Sequence, residues 1–103
     1  MRDNAYCVHH LTDTHDVILN MLEECRKAGH EDRALMFCSL SKVTFPGAGV
    51  AAMAASRRNI DYNLKNMFPM IISFDKLNQV RHIRFLKDMD GLAAHMEKHS
   101  ALL

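Results

Sequence analysis

Long apolar runs are missing from this 103-residue sequence, and none approaches the roughly 18 residues that a membrane span requires. A membrane-embedded role is thereby set aside. The start, Met1-Arg2-Asp3-Asn4, is polar throughout and lacks the apolar core of a secretory signal. Excess charge is missing too: 13 basic and 12 acidic side chains leave a formal net charge of +1, without the basic footprint of a nucleic-acid-binding surface. The 3 cysteines, Cys7, Cys25 and Cys38, are odd in number and widely spaced. They form neither a CxxC zinc pattern nor a disulfide framework, which points to a reducing compartment and a cytoplasmic location. No internal repeat or low-complexity linker divides the chain, so it reads as a single unit. What is present is the composition of a folded domain, 49% hydrophobic and 24% charged. The 8 methionines are read as core filler.

Along the chain, residues 3–8 read as the end of a β-strand entering a loop through His9, His10 and Asp13. From Thr14 to Ala28 the apolar positions Val17, Ile18, Met21, Leu22, Cys25 and Ala28 recur at helical spacing, and Gly29 stands where a helix-ending glycine belongs. Ala34 to Leu40 is a short continuous apolar run, suited to a strand buried on both faces as in a parallel sheet. The turn Phe45-Pro46-Gly47-Ala48-Gly49 precedes a second, small-residue strand over Val50 to Ala55. Helices are predicted over Asn59 to Phe68, stopped before Pro69, then over Asp75 to Leu86 with Leu77, Val80 and Phe85 inward. A last helix covers Asp90 to Leu103 with Leu92, Met96, His99 and Leu103 in one stripe. Strands alternating with helices predict α/β architecture, with ligand groups at the carboxyl ends of strands. Three strands cannot form a sheet covered on both faces, so the chain reads as part of a larger fold.

Ser39-x-Ser41-Lys42 places a lysine directly after the apolar strand and before a glycine-rich turn. A lysine enclosed by apolar groups loses solvation in its charged form, and its neutral amine can then form a Schiff base. Taken alone, the pattern far more often marks an ordinary solvated lysine at a strand end. Asp3 can likewise be a loop or cap aspartate, and Tyr6 a half-buried strand tyrosine.

Asp3-x-x-Tyr6, then Ser39-x-Ser41-Lys42, then Pro46-Gly47-Ala48-Gly49 resemble, in content and order, the cofactor-binding core of class I, fold-type I, pyridoxal-phosphate-dependent aminotransferases. The stretches from Ser41 to Ser56 and from Asn78 to Leu86 are similar to a bacterial branch of aspartate aminotransferase-like proteins related to MocR-type regulators. The resemblance runs from Asp3 to the end of the chain. It implies a partial piece of the large domain, with the cofactor-binding strand ends over about 3–56 and a helical segment leading towards the small domain over about 57–103. It also implies transfer of an amino group between an amino acid, such as aspartate, and a 2-oxo acid, in a homodimer. The alternative it carries is a non-catalytic ligand-sensing domain of a MocR-type regulator, whose separate DNA-binding segment this sequence does not contain.

On this resemblance Lys42 holds pyridoxal 5'-phosphate as a Schiff base and then moves the substrate proton. Asp3 pairs with the pyridinium nitrogen, and Tyr6 hydrogen-bonds the ring hydroxyl. Ser39 and Ser41 approach the phosphate, with backbone N–H groups of the Gly47 to Gly49 turn as further anion donors. The sequence departs from the family pattern at Val50, where standard aspartate aminotransferases carry a phosphate-binding arginine. The turn, or a residue outside the chain, is expected to do that work in preference to the solvent-facing Arg57 and Arg58. The family's upstream phosphate-binding turn, the asparagine beside the ring hydroxyl and the arginine that grips the substrate carboxylate have no counterpart here. His9, His10 and His15 lack the spacing of a metal site and read as loop histidines near the mouth of the active site. His95 and His99 are one helical turn apart, and core packing accounts for His99. Lys76, Asn78, Gln79, Arg81 and His82 make a polar helix entry suited to facing the active site or a dimer partner.

Overall fold

The computed structural model describes residues 1–3, 5–12, 14 and 16–102. Its centre is a three-stranded sheet in the order β1 (Arg2–Asp3), β2 (Leu35–Ser39), β3 (Ala51–Ala55). Four helices accompany it: α1 (Met21–Lys27), α2 (Arg57–Met67), α3 (Lys76–Leu86) and α4 (Met89–Ser100). The architecture is α/β, as the alternation of strand-like and helix-like segments predicts.

β1 runs parallel to β2, with Arg2 opposite Met36 and Asp3 opposite Phe37. β3 runs antiparallel to β2, with Ser39 opposite Ala51 and Leu35 opposite Ala55. The sheet is therefore mixed, not purely parallel. The link between β2 and β3 carries no crossover helix of the kind that usually returns a chain parallel to itself. Here the chain reverses through a single helical turn at Leu40–Lys42 and the proline-glycine turn. Nor is β2 buried on both faces, since Leu35, Met36 and Phe37 are half-buried and Cys38 is exposed.

The first helix departs from expectation at its start. Residues 14–20 are not helical where described, and α1 opens at Met21 because the Asn20 side chain caps it, Oδ1 accepting from Glu23 N at 3.3 Å. Its end is as expected. Gly29, at φ +73°, donates N–H to Arg26 O at 3.0 Å while His30 N–H reaches Cys25 O at 2.8 Å, the paired bonds of a Schellman motif. The other helices carry side-chain caps as well: Ser56 for α2, Asp75 for α3 and Asp88 for α4.

In α3 the inward face is polar. His82 is buried at 6% exposure, whereas Leu77, Val80 and Phe85, expected to point inward, are exposed. Asn78 and His82 lie one turn apart and both bond to the β2–β3 connection, which fixes the rotation of the helix and turns its apolar residues outward. In α4, Met96 is buried and Leu92 and His99 are half-buried, as the stripe predicts; Leu103 lies outside the described residues, as do Asp13 and His15. The buried apolar residues are Ala34, Val43, Ala48 and Met96. Two of these four flank Lys42 and the glycine turn, so the best-packed part of the molecule lies under the β2–β3 connection.

Candidate active site

At the end of β2 the backbone of Ser39 is still extended, and its Oγ accepts from Ser41 N at 3.1 Å. That bond turns the chain into a single helical turn, Leu40–Lys42. The Leu40 carbonyl then accepts from Val43 N at 3.0 Å, Thr44 N at 2.9 Å and Thr44 Oγ1 at 3.1 Å. Lys42 thus leaves a tightly bonded turn, held above the sheet by Leu40 N donating to Val50 O at 3.0 Å.

The Lys42 side chain is exposed, with Nζ 6.0 Å from the centre of the Tyr6 ring. The apolar enclosure expected around this amine is not supplied by the described residues. Tyr6 is also exposed and lies in a turn spanning residues 5–8 instead of a strand. Strand pairing stops at Asp3 because its Oδ1 accepts from Ala5 N at 3.1 Å, an Asx-type bond that bends the chain. The other Asp3 oxygen has no partner among the described residues.

The glycine turn has the geometry its residues demand. Ala48 N donates to Phe45 O at 3.0 Å, with Pro46 second and Gly47 third at φ +74°, the arrangement of a type II turn. Gly49 is at φ +69°, and a Cβ there would lie 2.8 Å from Asn78 Nδ2. Asn78 Nδ2 in turn donates to Ala48 O. The N–H groups of Gly47 and Gly49 donate to nothing among the described residues. Register places the parts together: Asp3 ends β1, Ser39 ends the parallel β2, and Gly49 leads into β3 beside Ser39. Asp3 and Ser39, with the connection that carries Ser41, Lys42, Gly47 and Gly49, therefore lie at one end of the sheet, across the ends of all three strands.

Three histidines touch Lys42 and the two residues after it: His9, read from the sequence as a loop histidine near the site, His82, read as part of a polar helix entry, and His95, for which the sequence suggested no role there. His9 Nε2 lies 2.7 Å from Lys42 O, and His95 Nε2 lies 2.7 Å from Val43 O. His82 Nε2 is 3.0 Å from Thr44 Oγ1, while its Nδ1 donates to Asn78 O at 2.9 Å. His9 also packs edge-on against Tyr6 with ring centres 5.3 Å apart. The polar start of α3 was legible as facing something functional; the roles of His9 and His95 have no signature in spacing. Arg57 pairs with Asp61 at 3.0 Å and Arg58 lies 3.5 Å from Asp32, both on the exposed start of α2. No cluster of three metal-ligating side chains occurs among the described residues. Nor is any helix there long and apolar enough to cross a membrane. A groove of about 620 Å³ lies between residues 8–12 and α4 and is lined by none of the expected cofactor residues.

The whole chain, residues 1–103, matches the family model for aspartate amino-transferase. A Mycolicibacterium smegmatis protein named as a putative aminotransferase is 45% identical over 103 residues, which are 100% of this chain and 24% of that protein. An aspartate aminotransferase of Corynebacterium glutamicum is 37% identical over 101 residues, 98% of this chain and 23% of that one. Among solved structures, a Corynebacterium diphtheriae protein with the same designation as the first relative superposes with a TM-score of 0.91 at 40% identity, over 98% of this chain and 25% of its own. An aspartate transaminase of Corynebacterium glutamicum gives 0.89 at 36% identity, over 96% of this chain and 23% of its own. The chain belongs to the aspartate aminotransferase family, and it spans about a quarter of the length of the relatives it matches.

Proposed function

We propose that this chain is the cofactor-lysine segment of a pyridoxal-phosphate-dependent transaminase that passes an amino group between an amino acid, aspartate by analogy with the named relatives, and a 2-oxo acid. The observation that supports the reading is that Asp3, Ser39, Ser41, Lys42, Gly47 and Gly49 lie at one end of the sheet, with the Tyr6 ring centre 6.0 Å from the Lys42 amine. The residues fit the cofactor in their open valences. Among the described residues the Lys42 amine has no carboxylate partner, one Asp3 oxygen has none, and the Gly47 and Gly49 N–H groups donate to nothing, leaving two donors for an anion. When bound, pyridoxal phosphate supplies an electron sink that stabilises the charge left on the substrate carbon as its proton departs.

The chain's own groups divide the remaining work. Lys42 Nζ would hold the cofactor covalently and, once displaced by the incoming amino acid, its free amine would accept the proton from the substrate carbon and deliver it to the carbon on the far side of the shared nitrogen. Asp3 would pair with the ring nitrogen and hold its proton through a charge-assisted hydrogen bond. The Tyr6 hydroxyl would donate to the ring oxygen. Ser39 Oγ, already accepting from Ser41 N, keeps its own proton to donate to the phosphate, alongside Gly47 and Gly49 N–H. The functioning unit is a cytoplasmic homodimer of full family length.

Lys42→Ala in a full-length aminotransferase carrying this sequence tests the reading. It is expected to abolish amino-group transfer, because no other described side chain is placed both to anchor the cofactor and to shuttle the proton. Transfer by the variant at a rate within tenfold of the parent would overturn the reading.

A further inference from the structure

We propose that His9, His82 and His95 are positioning residues that clamp the Lys42–Thr44 backbone and thereby aim the Lys42 amine at Tyr6; this rests on Lys42 being the cofactor lysine. The three come from different parts of the fold: the loop after β1, helix α3 and helix α4. They lie 33, 38 and 52 residues from their partners in sequence, yet they meet three consecutive residues.

The chemistry of the contacts fixes their direction. A backbone carbonyl only accepts, so His9 and His95 each carry their proton on Nε2 and donate it, to Lys42 O and Val43 O respectively. Each peptide unit is planar, so a hydrogen bond to its oxygen restrains the orientation of the whole unit. Two successive units are restrained from opposite ends of the chain, and the Thr44 hydroxyl beyond them lies 3.0 Å from His82 Nε2. The backbone that carries the Lys42 side chain is thereby restrained by side chains outside its own turn.

His9 links this clamp to the reacting end. The same ring that holds the Lys42 carbonyl packs against Tyr6, whose ring stands 6.0 Å from Nζ. Its Nδ1 is buried without a hydrogen-bond partner among the described residues. Phenylalanine would fill the same space without that unmet acceptor, so the polar service of this ring is the Nε2–H that it gives to Lys42. His95 is braced in turn by Phe85 and His99, with ring centres 5.1 and 4.4 Å away.

The test compares His9→Phe, His95→Phe and their double variant with His9→Gln and His95→Gln in a full-length aminotransferase carrying this sequence. Glutamine can place an N–H where histidine Nε2 stands; phenylalanine keeps the ring and removes the donor. Amide hydrogen exchange on the cofactor-free protein reads the clamp whether or not Lys42 holds a cofactor. The double phenylalanine variant is expected to exchange the Val43 and Thr44 amides about tenfold faster, the glutamine variants within about twofold of the parent. With cofactor and substrate, kcat is expected to fall about tenfold or more in the phenylalanine variants, with KM little changed. Should the double variant fail to fold, each single variant carries the same comparison at a smaller amplitude. Unchanged exchange in the phenylalanine variants overturns the clamp, and accelerated exchange with an unchanged kcat overturns its positioning role. A parent protein that binds no pyridoxal phosphate defeats the proposed function instead, while the exchange result still decides whether the clamp exists.

Discussion

When residues 1–103 are produced without further polypeptide, an unusually large apolar surface meets water. A folded monomer of 11.8 kDa exposes about 5,900 Å², whereas this chain exposes 8446 Å². Its radius of gyration is 15.8 Å, against about 13 Å for a compact domain of this length. The surplus, about 2,500 Å², is as large as a substantial protein interface. If a little over half of it is apolar, about 35 kcal/mol of gross hydrophobic stabilisation is forgone, well above the 5–15 kcal/mol by which domains are typically stable. Val17 at 92% and Ile72 at 95% exposure illustrate the surface concerned, and no large side chain among the described residues is fully buried. The isolated chain is therefore expected to aggregate or to remain loosely ordered, and not to bind pyridoxal phosphate stably. Gel filtration, dye binding to exposed apolar surface and absorption spectra at rising cofactor concentration would show this. A sharp folded dimer with a saturable cofactor band that survives dialysis would refute the reasoning, because it would mean that 103 residues rebuild both the core and the pocket.

Other expectations concern single residues in a full-length protein. Gly49→Ala should destabilise by about 2–3 kcal/mol, adding left-handed strain to displacement of the Asn78 amide, while Gly29→Ala, with nothing within 4 Å of the new methyl, should cost only about 1–2 kcal/mol; denaturation midpoints of the two compare them directly. Ser56→Ala should cost about 1–3 kcal/mol, because Ser56 Oγ both caps α2 through Asn59 N and donates to Asp32 Oδ1 at 2.5 Å in a buried position, and the same denaturation curves would show it. Asp3→Asn should leave cofactor binding largely intact and slow proton abstraction roughly 100-fold or more, as measured in single-turnover half-reactions; an unchanged rate would make Asp3 a strand-end residue and nothing more.

The parts of the fold that were legible in the sequence are those decided locally. Asp75 and Gly29 announce helix ends through their own hydrogen-bonding and conformational preferences, and Pro46-Gly47 announces a turn, each found where expected, whereas α2 opens at Arg57 under a Ser56 cap, two residues before the expected Asn59. Expectation failed where local signals competed or where distant contacts decided. The apolar spacing continues N-terminally through Val17 and Ile18, so it masks the cap at Asn20 that begins α1. Helix α3 has apolar residues on one side, but the hydrogen bonds of Asn78 and His82 to residues 44–48 set which side faces in. His9 and His95 read as a loop residue and a helix residue because their partners lie 33 and 52 positions away. The candidate site was read as an ordered set of residue types, whereas the placing of those residues at one end of the sheet depends on strand register, and the histidine contacts behind them on elements far apart in the chain.

The central claim is that Lys42 is the covalent anchor of the cofactor. Borohydride reduction of a full-length protein carrying this sequence, loaded with pyridoxal phosphate and followed by proteolysis and mass mapping, addresses it directly. The account predicts a single stable pyridoxyl label on the peptide containing Ser41-Lys42-Val43, at Lys42. A label on Lys65, Lys76 or any other residue, with Lys42 unmodified, would contradict it.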